Sequence, residues 1–117
     1  MSKVLVIDDE QLVVNLVQQV LSLEAFNVDT ALAGDDGLRK FKGGDYDLVI
    51  TDILMPGTDG HQVVQTIRAS ERGSTPVIGI SGTPWLLQDS AFDRVLPKPF
   101  NIKNLIDTAR SLVPAAN

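Results

Sequence analysis

The sequence predicts an α/β domain built on a doubly wound, five-stranded parallel sheet. Three observations lead there. Short, β-branched-rich apolar runs recur five times along 117 residues. Amphipathic stretches of helical period follow them, the fourth much abbreviated. Acidic, hydroxyl and basic residues fall just after the apolar runs. Strands alternating with helices pair in parallel through crossovers on both faces. In such a sheet the site lies at the carboxyl ends of the strands, near the point where the strand order reverses.

The elements follow in order. Val4-Leu5-Val6-Ile7 reads as a strand buried on both faces. Asp9 to Leu23 carries a helical stripe of Leu12, Leu16, Val20 and Leu23, with Val13, Val17 and Leu21 beside it, all expected in the core. Phe26 to Leu32 is a weaker second strand, and Gly34 to Lys42 a short helix using Leu38 and Phe41, closed by Gly43-Gly44. Leu48-Val49-Ile50-Thr51 is the third strand. After the Met55-Pro56-Gly57 loop, Thr58 or Asp59 caps a helix running to about Glu71, with Val63, Val64 and Ile67 inward. Arg72-Gly73-Ser74-Thr75-Pro76 breaks it. Val77-Ile78-Gly79-Ile80 is the fourth strand and Arg94-Val95-Leu96 the fifth. Ile102, Leu105, Ile106, Ala109, Leu112 and Val113 form a terminal helical stripe.

Composition narrows the function. The length suits one ordinary domain, residues 1–117, with no output domain expected. A hydrophobic fraction of 44% supports a core. The absence of cysteine excludes disulfides, zinc-thiolate sites, iron–sulfur clusters and thiol nucleophiles, and a single histidine excludes His-rich metal sites. Ten Lys and Arg against 15 Asp and Glu leave a net charge of −5, which disfavours binding a phosphate backbone. No apolar run approaches the ~18 residues of a membrane span. The expectation is a soluble, cytoplasmic protein that engages neither nucleic acid nor membrane.

Residues after the strands carry the candidate chemistry: Asp8, Asp9 and Glu10 after the first, Asp52 after the third, Ser81 and Gly82 after the fourth, Lys98 and Pro99 after the fifth. Close carboxylates raise one another's pKa unless a positive charge intervenes. Mg2+, a hard cation that prefers oxygen ligands, relieves this and is usually held by one or two carboxylates plus phosphate oxygens. With a lysine and a serine hydroxyl nearby, such a set stabilises a transferring phosphoryl group, and Asp52 is the natural nucleophile. Singly, each residue has an ordinary reading: a helix cap for Asp8 or Asp9, a turn residue for Ser81, a solvated charge for Asp52 or Lys98. Their joint placement favours the chemical one. His61 reads as a surface or partly buried histidine rather than a phosphoacceptor, and Trp85 as packing over the site rim.

With these residues in place, the chain resembles a receiver domain of two-component response regulators, the CheY-like superfamily. The resemblance rests on Val4-Leu5-Val6-Ile7-Asp8-Asp9, the stretch from Asp47 through Thr51-Asp52 and Met55-Pro56-Gly57 to Gly60, Pro76 through Ile80-Ser81-Gly82, and Leu96-Pro97-Lys98-Pro99-Phe100. It implies a flavodoxin-like sheet of order 2-1-3-4-5 and Asp52 as acceptor of a phosphoryl group. The donor implied is a phosphohistidine on a histidine kinase or histidine phosphotransfer protein. It further implies Mg2+ held by Asp8, Asp9, Asp52 and the backbone carbonyl of Leu54, with Ser81 and Lys98 meeting the phosphoryl group. The Lys98–Pro99 bond would be cis, an isomer open to X-Pro bonds. The output implied is a switched contact with a downstream protein the sequence does not identify, and self-association into a homodimer stays open.

Two departures stand out. If 93–97 form the last strand, 82–92 is the fourth crossover, close to the minimum of roughly 10–12 residues. Helix four should therefore be short or missing, a turn or two around Trp85-Leu86-Leu87-Gln88. Val95 stands where the family usually carries Tyr or Phe, so the switch formed with Ser81 should couple weakly. Leu54 borders the phosphoryl position, and its apolar side chain should slow hydrolysis. Among other functions, a haloacid-dehalogenase-type phosphohydrolase wants an acid at position 54. A flavin or nucleotide binder wants a loop friendlier to phosphate than Asp8-Asp9-Glu10. A degenerate receiver acting only by binding is the remaining alternative.

Overall fold

The computed structural model describes residues 1–84 and 91–113. Among the described residues, five strands and four helices follow in the order β1 (Lys3–Ile7), α1 (Gln11–Leu23), β2 (Asn27–Ala31), α2 (Gly34–Gly43), β3 (Leu48–Asp52), α3 (Gly60–Arg68), β4 (Val77–Ser81), β5 (Arg94–Pro97) and α4 (Ile102–Leu112). All strand pairs are parallel and the sheet order is β2-β1-β3-β4-β5. The chain reverses direction of winding between β1 and β3, so the ends of those two strands border the crevice where ligands of this architecture bind. The short fourth helix expected around Trp85–Gln88 and the packing role of Trp85 lie outside the described residues.

The sheet separates two cores. One, built on Val4, Val6, Ile50 and Ile78, packs against Val17 and Leu21 of α1 and Leu105 and Ala109 of α4. The other, built on Leu5, Ile7 and Val49, packs against Phe41 of α2 and Val63, Val64 and Ile67 of α3. Both faces of β3 and β4 are fully covered, which explains their unbroken apolar sequences.

Several boundaries and faces differ from the sequence reading. In α1 the buried residues are Val14, Val17 and Leu21, while Leu12 (83% exposed), Leu16 and Leu23 face outward. This helix is apolar on more than one side, so periodicity could not say which side the sheet would cover. Leu32 lies beyond β2 and Ile102 opens α4; both are exposed. Helix α3 stops at Arg68, three residues short of Glu71. Its cap is Asp59, whose side chain accepts from the Gln62 amide while the Gln62 side-chain oxygen accepts from the Asp59 amide.

Phe92, just before β5, is a core residue that the strand pattern did not reveal. It is buried and packs over Gly79 of β4. A Cβ at Gly79 would stand 2.8 Å from Ile53 Cδ1 and 3.0 Å from Phe92 Cδ1, so glycine is required for these two side chains to meet the strand. A glycine inside an otherwise bulky strand was the available signal. His61 meets the Phe92 ring edge-on, with centroids 5.9 Å apart, and is half-buried as expected.

Candidate functional site

Asp8 directly follows β1 and Asp52 ends β3, and β1 pairs with β3 through Ile7 and Thr51, so the two carboxylates emerge side by side. Asp9 follows on the turn into α1. One carboxylate oxygen from each of Asp8, Asp9 and Asp52 lies within 4.8 Å of the others. Asp8 and Asp52 are buried and Asp9 is exposed, so the cluster opens outward through Asp9.

Backbone amides and one lysine orient the carboxylates. Asp8 Oδ1 accepts from the Glu10 amide at 2.9 Å, and Asp52 Oδ1 accepts from the Ile53 amide at 3.0 Å. The residue at the N-cap of α1 is Glu10, with no side-chain capping bond, so neither Asp8 nor Asp9 is spent as the cap. Gly60 lets α3 begin against the end of β3: a Cβ there would stand 2.6 Å from the Asp52 carbonyl oxygen. Opposite, β5 delivers Lys98, whose amide bonds the Ser81 carbonyl at 2.8 Å. The Lys98–Pro99 bond is cis. The Lys98 ammonium stands 3.5 Å from Asp8 Oδ2, 3.6 Å from Asp52 Oδ2 and 2.8 Å from Glu10 Oε1.

The electrostatics follow from this geometry. Burial pushes the Asp52 carboxyl up to about 6; the Asp8 and Asp9 charges add to the rise, while Lys98 and the Ile53 amide oppose it. Burial also raises Asp8, against the Glu10 amide and Lys98. Burial alone would lower Lys98, but the bond to Glu10 and the charges of Asp8, Asp52 and Glu10 outweigh it and lift the ammonium to about 12. Three carboxylate oxygens gathered this closely fit a hard divalent cation such as Mg2+.

Ser81 is buried at the end of β4, one residue beyond Ile80, the register partner of Asp52. Its Oγ accepts from the Thr83 amide at 3.0 Å. Leu54 projects its side chain into solvent, 72% exposed. Val95 is half-buried in β5 and packs against the α2–α3 side of the core. The structure thus gathers Asp8, Asp9, Asp52 and Lys98 at one edge, with Ser81 on the adjoining strand. Glu10, grouped in the sequence only as a neighbouring acid, turns out to be the closest partner of the lysine.

A clustered acid site with an apposed lysine, at the carboxyl edge of a sheet in this strand order, defines the class of phosphoacceptor signalling domains. Comparison with known proteins agrees. The chain belongs to the response regulator receiver domain family, which matches residues 4–110. It is 32% identical over 118 residues to the response regulator ArlR of Staphylococcus aureus, covering 97% of this chain and 53% of ArlR. The chain therefore spans about half the length of the curated relatives it matches. Among solved structures it is similar to the chemotaxis protein CheY4 of Vibrio cholerae, with a TM-score of 0.90 and 28% identity over 97% of this chain and 99% of that one. It is also similar to TrrA of Thermotoga maritima in complex with Mg2+ and BeF, with a TM-score of 0.88 and 34% identity over 97% of this chain and 100% of that one. TrrA has also been solved in complex with the histidine kinase ThkA. Among the described residues, no helix is long and apolar enough to cross a membrane.

Proposed function

We propose that Asp52 accepts a phosphoryl group from a phosphohistidine on a histidine kinase or histidine phosphotransfer protein in the cytoplasm. The single observation that carries this reading is the approach of three carboxylates to within 4.8 Å of one another beside the Lys98 ammonium. A carboxylate oxygen of Asp52 attacks phosphorus. The bond from phosphorus to the histidine nitrogen breaks, and that nitrogen leaves with the electron pair. Asp8, Asp9, Asp52 and the Leu54 carbonyl would hold Mg2+, which would supply the charge compensation for these oxygens and an anionic phosphoryl group to share the site.

The chain's own residues do the rest. Burial excludes bulk water from around Asp52. Lys98 pairs with the phosphoryl oxygens after transfer. Ser81 exchanges its bond from the Thr83 amide for one to a phosphoryl oxygen, and this is the switch movement. Val95 transmits it weakly, because a half-buried valine has no ring to swing between two positions. The event alters a contact with a downstream protein. The similarity to TrrA, solved with a histidine kinase, supports the choice of upstream partner.

Incubation with Mg2+ and a small phosphodonor, followed by intact mass measurement, tests the reading. The wild type is expected to gain the mass of one phosphoryl group and Asp52→Ala none. No gain in the wild type would favour a degenerate receiver that acts by binding alone.

A further inference from the structure

Lys98 faces more carboxylates than it can neutralise, and its position among them is informative. Its ammonium is 2.8 Å from Glu10 Oε1, a true charge-assisted hydrogen bond. It is 3.5 Å from Asp8 and 3.6 Å from Asp52, at or beyond the limit of one. Yet Asp8 and Asp52 are the buried pair, where attraction is screened least, and the Glu10 side chain is 60% exposed. The lysine is therefore drawn outward, towards the carboxylate that water screens most.

The local fold explains how. Glu10 sits at the N-cap of α1 in extended conformation, and its carbonyl accepts from the Val13 and Val14 amides. Its own amide is taken by Asp8 Oδ1. The backbone is thus fixed by the first turn of the helix and by Asp8, while the carboxylate makes no capping bond. It reaches instead across the site mouth to a lysine 88 positions later.

We propose that Glu10 is a positioning residue for Lys98, a counter-ion that holds the ammonium at the site mouth and competes for it with the phosphoryl group on Asp52. The inference rests on the phosphoacceptor reading above. A phosphoryl group places more negative charge than a carboxylate within reach of the ammonium, on its buried side. The pair that yields is the exposed one, because an ion pair open to water is weak and readily exchanged. The resting and phosphorylated states thus differ in which anion owns Lys98. Glu10 sets how much of the phosphoryl–lysine attraction is consumed in breaking the resting pair.

The test uses beryllofluoride, the type of anion bound with Mg2+ in the TrrA structure. Its affinity is measured at saturating Mg2+ for wild type, Glu10→Gln, Lys98→Gln and the double variant. Glu10→Gln is expected to bind about threefold more tightly than wild type, the size of an exposed ion pair's contribution. In the Lys98→Gln background the same change should alter affinity by less than half as much. An equal gain in both backgrounds would overturn the proposal, since it would reduce Glu10 to one more negative charge near an anion site. So would an unchanged affinity in Glu10→Gln. A second readout follows the Lys98 ammonium by 1H–15N spectroscopy. Its resonance should differ between wild type and Glu10→Gln in the free proteins and coincide once beryllofluoride is bound; persistent separation in the bound state overturns the proposal. Failure of the wild type to bind beryllofluoride at all would overturn the phosphoacceptor reading along with it, and is thereby distinguishable.

Discussion

Arg68 at the end of α3 donates to Asp93 Oδ2 at 2.8 Å, and the same oxygen accepts from the amide of the buried Val77 at 2.7 Å. One carboxylate oxygen therefore joins a helix end, the start of β4 and the approach to β5. The guanidinium extends the tie through bonds to the Ala91, Gly73 and Thr75 carbonyls. This staple anchors the chain where it enters β5. Asp93→Ala leaves the Val77 amide without its acceptor and should cost about 1–2 kcal/mol. Asp93→Asn, which keeps an acceptor, should recover at least half of the loss. Urea denaturation of the three proteins measures it, and an alanine variant as stable as wild type would contradict the assignment.

The buried Asp52 carboxylate should make the metal-free fold sensitive to pH. Asp52 is raised from 3.8 to about 6 in the folded chain. Between those values the folded state keeps a proton that the unfolded state releases. The stability linked to that proton is complete below about pH 4 and is lost as pH rises through about 6. With divalent cations chelated, stability should fall across this window. Asp52→Asn should flatten most of the fall and stabilise the protein at pH 7.5 by about 2 kcal/mol. Asp8, raised in the same direction, leaves a smaller slope of the same sign. Thermal melts from pH 4 to 8 check this; a wild-type stability that climbs across the window would refute it.

Mg2+ should reverse that penalty. Binding to the folded state alone adds about 2.7 kcal/mol at one hundred times the dissociation constant. The melting temperature should rise with Mg2+ in the wild type and respond far less in Asp9→Ala, where the exposed carboxylate of the cluster is removed without disturbing the core. Equal responses in the two proteins would place the ion elsewhere.

Helix α1 ends with Ala25 at a φ of +69°, in the left-handed region. There the Phe26 amide returns to the Leu21 carbonyl at 3.1 Å and closes the helix. An alanine side chain is strained in this conformation and glycine is not. Ala25→Gly should stabilise the domain by about 0.5–1 kcal/mol, seen as a higher urea midpoint. A lower midpoint would mean that unfolded-state entropy outweighs the relief of strain.

The acid residues and the lysine were legible because a parallel sheet places every strand end on one edge. Asp8, Asp52, Ser81 and Lys98 each sit at or just after the end of a strand. What escaped notice depends on pairs remote in the chain. Nothing near Glu10 indicates that it would hold Lys98, and nothing near Arg68 points to Asp93. The outward turn of Leu12, Leu16 and Leu23 was hidden for another reason: α1 is apolar around most of its circumference, so its own period does not select a face.

Alternation of strand and helix, the strand-end chemistry and the family motifs are local properties, written in neighbouring residues and readable without coordinates. Distances are not local. That Asp8, Asp9 and Asp52 approach within 4.8 Å, that Lys98 leans 2.8 Å from Glu10 instead of settling on Asp52, and that Val14 rather than Leu12 meets the sheet were settled when the elements packed together. Packing decides such matters because burial and charge are shared among residues from distant parts of the chain, and their balance exists only once those parts have met.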